Sequence, residues 1–332
     1  IQKILEMGAL KKEGKIKRLV VAGCLTQRYK SDIVDELPEA DLFIGSGEFQ
    51  NIDKILDGNK KGNTQRTFFN LPTYLQDSST PRVNTQPKHR AYLKISEGCL
   101  KRCAFCAIPL IRGNLQSRTI ENVVNEAKLL VAGGVKEIII ISHDFTDYGW
   151  DLKKKNPAAA ESPYELLKAL DGVEGLQWIR LLYLYPDGLD MKTLQLIKNS
   201  KKIVKYFDMP LQHINNEMLK KMNRKMTREE IVEVIKNIRA EMPEAVIRTQ
   251  FIVGFPGETE EQFNELVEFV KEFEFDRVGC FSYSPEENTP AGKMLDQLDE
   301  DVKQRRHDLL MKTQQKISKK LQKRMIGKVV DV

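Results

Sequence analysis

Tyr92-Leu-Lys-Ile-Ser-Glu-Gly-Cys99-Leu-Lys-Arg-Cys103-Ala-Phe-Cys106-Ala-Ile-Pro109 carries three of the chain's five cysteines, spaced as CxxxCxxC. Residues 91 to 96 alternate apolar and polar side chains and read as a strand. Gly98 frees the backbone for a turn, and Pro109 closes the segment. The three thiols are therefore expected on a loop at the end of a strand.

Three thiolates in one tight loop suit an iron–sulfur cluster better than zinc. Structural zinc takes four protein ligands, and no fourth Cys or His lies nearby in the sequence. A four-iron cluster held by three cysteines keeps one iron open for another ligand. Two other readings stand beside this one. Positions 99, 103 and 106 share a helical face and would serve as a buried stripe, although Gly98 and Lys101-Arg102 interrupt it. A zinc site completed by a distant residue is the second.

The 332 residues are enough for two or three domains with a substantial core. Apolar content is ordinary, and no run reaches membrane-spanning length. No signal peptide is visible. Ile1 is not an initiator methionine, so the chain is expected to be part of a longer one. Five cysteines with three clustered do not form a disulfide framework, which points to a reducing cytoplasm. The net charge of +6 is unevenly spread. Between Lys303 and Lys328 stand Lys303, Arg305, Arg306, Lys312, Lys316, Lys319, Lys320, Lys323, Arg324 and Lys328, opposed only by Asp308. This run reads either as a solvated helix face or as a patch that meets nucleic acid or a ribonucleoprotein.

Residues 18–23 and 41–45 read as buried parallel strands, each followed by a helix. Cys24 falls at the first strand's C-terminal end, where such sheets place their sites. Taken alone, it reads as a buried apolar cysteine. Residues 71–90, with Pro72, Pro81 and Pro87, break every periodic pattern and mark a domain boundary. Strand candidates then fall at 91–96, 136–141, 178–184, 203–207, 245–253 and 276–282. Helices fit between them, with Thr119, Ser162, Thr227 and Thr259 as N-caps. Six βα units argue for parallel strands and right-handed crossovers. Six is short of a closed eight-stranded barrel. The expected fold is α/β, an open six-stranded (β/α) partial barrel with its site at the strands' C-terminal ends. Unusual residues recur at those ends: Ser142-His143-Asp144, Tyr183 to Pro186, Met209 to His213 past the fourth strand, Arg248 to Gln250 leading into Gly254 to Glu258, and Tyr283 to Glu287. That recurrence suggests a shared pocket. Cys280, inside the sixth strand, reads as core.

The cysteine loop, with Phe105 before its last cysteine, resembles the radical S-adenosylmethionine (SAM) signature. Together with Tyr183-Leu-Tyr-Pro186, Met209-Pro-Leu-Gln-His213, Phe251-Ile-Val-Gly-Phe-Pro-Gly-Glu258 and Tyr283-Ser-Pro-Glu-Glu287, it resembles the methylthiotransferases of that superfamily over essentially the whole chain. Their fold implies a partial N-terminal α/β domain at 1–72, a linker at 73–84, a radical-SAM core with its basic helix at 85–320, and the first strand of a small TRAM β-barrel at 325–332. The resemblance assigns Cys99, Cys103 and Cys106 to a [4Fe-4S] cluster and Cys24 to a second [4Fe-4S] cluster, incomplete here. It places Phe105, Gln212, Arg248 and the segment Ile252 to Gly254 around SAM; Arg248's planar fork suits a carboxylate.

The segments match best the branch that adds a methylthio group to the β-carbon of an aspartate in ribosomal protein uS12. The MiaB-like branch, which acts on tRNA adenosine, is the alternative. A non-enzymatic metal-binding RNA module is the alternative from another class. Partners implied are uS12, free or in the small ribosomal subunit, and a flavodoxin-like or ferredoxin-like electron donor. An rRNA contact through the basic helix and TRAM strand is also implied, and no membrane. Two departures stand out. The family's first two N-terminal cysteines are absent, so this chain is expected to cleave SAM without transferring sulfur. His143 occupies a position where the uS12 branch usually has Gln, which leaves its role open.

Overall fold

A computed structural model describes residues 1–62 and 64–329. They form two compact units, the first being Ile1–Gln76 with Glu97–Cys99 and Ala107–Leu115, the second Asp77–Ser96 with Leu100–Cys106 and Gln116–Val332.

In the first unit, strands β1 (Val20–Gly23), β2 (Leu42–Gly45) and β3 (Thr67–Phe68) form a parallel sheet in that order. β2 is the central strand and is buried along its whole length. A parallel strand covered on both faces is expected to be continuously apolar, as Leu42-Phe43-Ile44 is. Cys24 follows β1 directly and opens the short helix Cys24–Tyr29. Thr26 fixes that junction by donating its hydroxyl to the Gly23 and Ile44 carbonyls, at 2.8 and 2.6 Å.

The second unit carries six parallel strands: β4 (Arg90–Lys94), β5 (Glu137–Ile141), β6 (Trp178–Leu181), β7 (Tyr206–Gln212), β8 (Val246–Val253) and β9 (Arg277–Ser282). They pair as β4-β5-β6 and β7-β8-β9. An isolated parallel bridge from Ile179 to Ile203, and the Leu184 amide on the Asp208 carbonyl at 2.8 Å, carry the pairing from one trio to the other. The result is the open six-stranded (β/α) partial barrel read from the sequence. Besides the short helix Trp150–Lys155, its helices include α1 (Ile120–Ala132), α2 (Pro163–Asp171), α3 (Met191–Asn199), α4 (Asn216–Lys221), α5 (Arg228–Glu241), α6 (Glu260–Phe273) and α7 (Glu300–Lys323).

The helices begin where short polar side chains satisfy their first amides. Thr119 accepts from the Asn122 amide and Ser162 from the Glu165 amide. Thr227 with Glu230, and Thr259 with Gln262, form reciprocal capping boxes.

β8 shows how the strands divide their two faces. Ile247, Thr249, Phe251 and Val253 are buried, while Val246, Arg248, Gln250 and Ile252 are only partly so. Phe251 packs edge-on against Phe269 of α6 at 6.3 Å and Phe275 at 6.2 Å. Cys280 of β9 joins this same core, and burial pushes its thiol up to about 12, in keeping with a packing role. The opposite face is polar: Arg180 pairs with Glu137 at 2.7 Å, and Arg248 with Asp208 at 2.5 Å.

Three expectations need correction. The fourth strand was expected at 203–207, with Met209 to His213 beyond it, yet β7 runs from Tyr206 to Gln212 and contains Pro210. A proline has no amide for the ladder and is tolerated at a bulge; the β7–β8 register shifts there, between Thr249 and Phe251. The third strand was expected to reach residue 184 but ends at Leu181, because Tyr183 turns to a φ of +60°. Of the strand expected within 325–332, residues 325–329 are not in a strand, and residues 330–332 lie outside the described residues. No helix among the described residues is long and apolar enough to cross a membrane.

Candidate active site

Gly98 sets up the cysteine loop. Its φ is +71°, a region open to glycine, and a Cβ there would overlap the Asn114 carbonyl. Cys99 then anchors its amide on the Gly113 carbonyl at 3.3 Å. Further along, the Cys106 amide closes on the Cys103 carbonyl at 3.0 Å. Ala104 between them gives its amide to the Met222 carbonyl and receives the Ala291 amide, both at 2.9 Å. All three cysteines are partly exposed, so this is not a buried helical stripe.

Among the described residues, no three His, Cys, Asp or Glu side chains are grouped to hold a single metal ion. Zinc would draw its thiolates to about 2.3 Å each, whereas a four-iron cube spreads its thiolates over separate corners. The donor set fits the cube on two counts. It is all sulfur, and Arg224 already donates to Cys103 Sγ at 3.6 Å, the contact a thiolate bearing negative charge rewards. When bound, such a cluster would be held by Cys99, Cys103 and Cys106.

Of the residues expected around SAM, Phe105 and Ile252 come together in one apolar cluster with Ala104, Met218, Met222, Phe255 and Tyr283. Gly254 follows Ile252 at a φ of +69°, its amide donating to Glu258 Oε2 at 2.6 Å. Gln212 ends β7 at a φ of +72°. Such backbone at a non-glycine residue persists where the surroundings impose it, commonly at functional sites. Arg248 stands lower on the polar face of β8, held by Asp208 of β7.

Behind Gly254 lies a buried ionic network that the sequence did not reveal. Glu258 takes His213 Nε2 on one oxygen at 3.0 Å and Arg306 on the other at 2.5 Å. His213 accepts the Asn215 amide on Nδ1 at 3.0 Å, so its Nε2 carries the hydrogen that goes to Glu258. Lys303 of α7 packs beside Gly254 where a Cβ would otherwise sit.

A second cluster surrounds Lys101, in the middle of the cysteine loop. Its ammonium lies 2.9 Å from Asp187, 3.3 Å from Asp147 and 3.8 Å from Asp144, and 4.3 Å from the Tyr185 ring centre. Burial works against its charge, but the three carboxylates hold Lys101 protonated above the ordinary lysine range. Burial, and then Asp147, push Asp144 up to about 6 from an ordinary 3.8. The folded state therefore holds this proton better than the unfolded chain. That advantage is present below pH 4 and is lost as pH rises through 6, costing about 3 kcal/mol. D144N should escape the loss, so its urea midpoint relative to wild type should climb between pH 4 and pH 7. A flat difference across that range would rule the account out.

In the first unit, Cys24 is exposed, not buried, and accepts a hydrogen bond from Arg112 Nη2 at 3.1 Å. Arg112 also lies 3.5 Å from Glu97. Nothing in the residue pattern pointed to this pairing.

The fold and the cysteine loop define a radical SAM protein: the profile of the Radical SAM superfamily matches residues 93–270, more than half the chain. The chain is 71% identical over all 332 residues to the ribosomal protein uS12 methylthiotransferase RimO of Bdellovibrio bacteriovorus, spanning 73% of that relative. It is 46% identical, over the same shares of both chains, to the RimO of Clostridioides difficile. The chain belongs to the RimO family. Among solved structures, the radical SAM methyltransferase TsrM of Kitasatospora setae superposes with a TM-score of 0.60 at 16% identity, over 83% of this chain and 57% of that one. This likeness shows the fold alone. Membership of the superfamily brings with it a [4Fe-4S] cluster and SAM.

Proposed function

We propose that this protein adds a methylthio group to the β-carbon of an aspartate in ribosomal protein uS12. The observation that carries the reading is the likeness to uS12 methylthiotransferases along the whole chain, at 71% and 46% identity, with the CxxxCxxC loop intact at a strand's C-terminal end. An unactivated C–H bond offers no acidic proton, so a general base has no purchase on it. The cluster and SAM, when bound, supply a 5′-deoxyadenosyl radical that takes the hydrogen. The chain's own residues hold and orient. Cys99, Cys103 and Cys106 bind the cluster, and Phe105, Gln212, Ile252 and Gly254 line SAM. Arg248 receives the SAM carboxylate by exchanging it for Asp208. Cys24 belongs to a second [4Fe-4S] cluster that handles the sulfur, and Arg112 steadies its thiolate. The division into 1–72, 73–84, 85–320 and 325–332 belongs to the same reading, as do a cytoplasmic location and a flavodoxin-like or ferredoxin-like electron donor.

The basic run is split by the fold, which sharpens the rRNA part of the proposal. Lys303 and Arg306 are buried, and Lys320 and Arg324 turn to Glu274. Lys312, Lys316, Lys319 and Lys323 remain exposed at spacings of four, three and four, on one face of α7. That stripe is the surface we assign to rRNA phosphates around uS12.

The test is direct. Full-length protein, reconstituted anaerobically and supplied with SAM and reductant, is incubated with uS12, with small ribosomal subunits and with unmodified tRNA. Mass spectrometry should find the methylthio addition on the uS12 aspartate. Modified tRNA beside untouched uS12 would move the protein to the tRNA branch.

A further inference from the structure

We propose that Arg224 is a positioning residue that raises the reduction potential of the cluster held by Cys99, Cys103 and Cys106. The inference rests on the reading that these thiolates hold a four-iron cluster. It adds a residue outside every motif that pointed to that reading.

Three consecutive residues after α4 grip three consecutive residues of the cysteine loop. The Met222 carbonyl accepts the Ala104 amide at 2.9 Å. Asn223 Nδ2 donates to the Arg102 carbonyl at 2.5 Å. Arg224 Nη1 donates to Cys103 Sγ at 3.6 Å. Asn223 makes the grip by turning to a φ of +55°, a conformation asparagine tolerates better than most residues.

The guanidinium is fixed on its other sides as well. Nη2 donates to the Pro210 carbonyl at 2.6 Å, in the strand that ends at Gln212. The Tyr185 ring, nearly buried, lies 4.0 Å from the guanidinium carbon. Lys101, on the same ring, is neutralised by its three carboxylates. Arg224 has no carboxylate at ion-pair distance among the described residues. Its charge is therefore directed at Cys103.

Reduction adds one electron to the cluster and so one negative charge to the thiolates and sulfides together. A fixed cation donating to a ligand sulfur stabilises the reduced form more than the oxidised one. Taking the cation away should make the cluster harder to reduce.

The experiment is an anaerobic potentiometric titration of reconstituted protein, with dithionite as electron donor and the EPR signal of the reduced cluster as readout. R224Q should keep its iron but show an oxidised-to-reduced ratio about tenfold higher at the wild-type midpoint, a shift of about 59 mV to more negative potential for a one-electron couple. R224K, which keeps the charge but not the fork, should fall between R224Q and wild type. A role in folding alone would separate neither variant from wild type once iron is bound. R224Q with full iron and a wild-type midpoint overturns the proposal. If R224Q takes up no iron, Y185L decides, since it keeps Arg224 and removes the ring that fixes it; its midpoint should also fall. A wild-type midpoint in Y185L, or loss of iron from both variants, overturns the proposal. Wild-type protein that takes up no iron would instead refute the cluster reading beneath it.

Discussion

Replacing Cys99, Cys103 and Cys106 together by alanine should remove the cluster and with it all SAM cleavage. Iron and sulfide should drop from about four each per site to background. The EPR signal that shifts on adding SAM should vanish, and 5′-deoxyadenosine should no longer form under dithionite. The expected effect is complete because, on the reading proposed above, these three thiols are what binds the cluster. C280A provides the contrast. Cys280 sits in the core behind β9 with its thiol pushed up to about 12. Losing it should cost about 1 kcal/mol of packing and leave the iron content as it was. Stoichiometric zinc in the wild-type protein, or a SAM-responsive signal surviving in the triple variant, would end the radical assignment.

E258A should be the most destabilising single substitution in the second unit. Glu258 is buried and serves three donors at once: His213 Nε2, Arg306 Nη1 and the Gly254 amide, and through Arg306 it ties down α7. Deleting its carboxylate leaves the buried Arg306 guanidinium with only its 3.2 Å contact to the more exposed Glu260, and a buried Gly254 amide with no acceptor. Breaking one side of a buried pair typically costs about 3–5 kcal/mol. Urea unfolding should show that loss. SAM affinity should fall as well, because Gly254 loses the bond that fixes its positive φ. A double variant, E258L with R306M, should recover much of the stability, since it removes both charges, but not the affinity for SAM. SAM affinity restored in the double variant, or stability left unrecovered, would mean that the network is not what holds the loop.

The parts of the fold that depend on near neighbours were legible in the sequence. The caps at Thr119, Ser162, Thr227 and Thr259 are settled within four residues, and the structure forms each of them. The six strands came from short apolar or alternating runs, of which Ile138 to Ile141 of β5 is the most continuous. The fourth strand was misjudged because Pro210 normally ends a strand, and the bulge that admits it is made by β8. The site was legible only as far as its motifs. Arg224 lies 121 residues from Cys103 in sequence, in a Lys-Met-Asn-Arg-Lys run that looks like surface. Its position depends on Asn223's backbone and Tyr185's ring, and neither leaves a periodic mark. The same holds for Arg112, whose bond to Cys24 spans 88 residues. The charges of Lys303 and Arg306 misled in the opposite direction, since a basic run on a helix normally faces water.

Those two buried cations also set where the functional module ends. The superfamily profile stops at residue 270, yet α7 lays Lys303, Arg306, Leu310, Gln314 and Ile317 into the same body. Gln314 closes on the Phe275 carbonyl, and Arg306 on Glu258, the residue that holds Gly254. A gene fragment cut at the profile boundary would therefore keep every signature cysteine while losing the brace behind Gly254. The smallest portable version of this enzyme's radical chemistry runs past Ile317, and grafting or chimera work should place its junctions there.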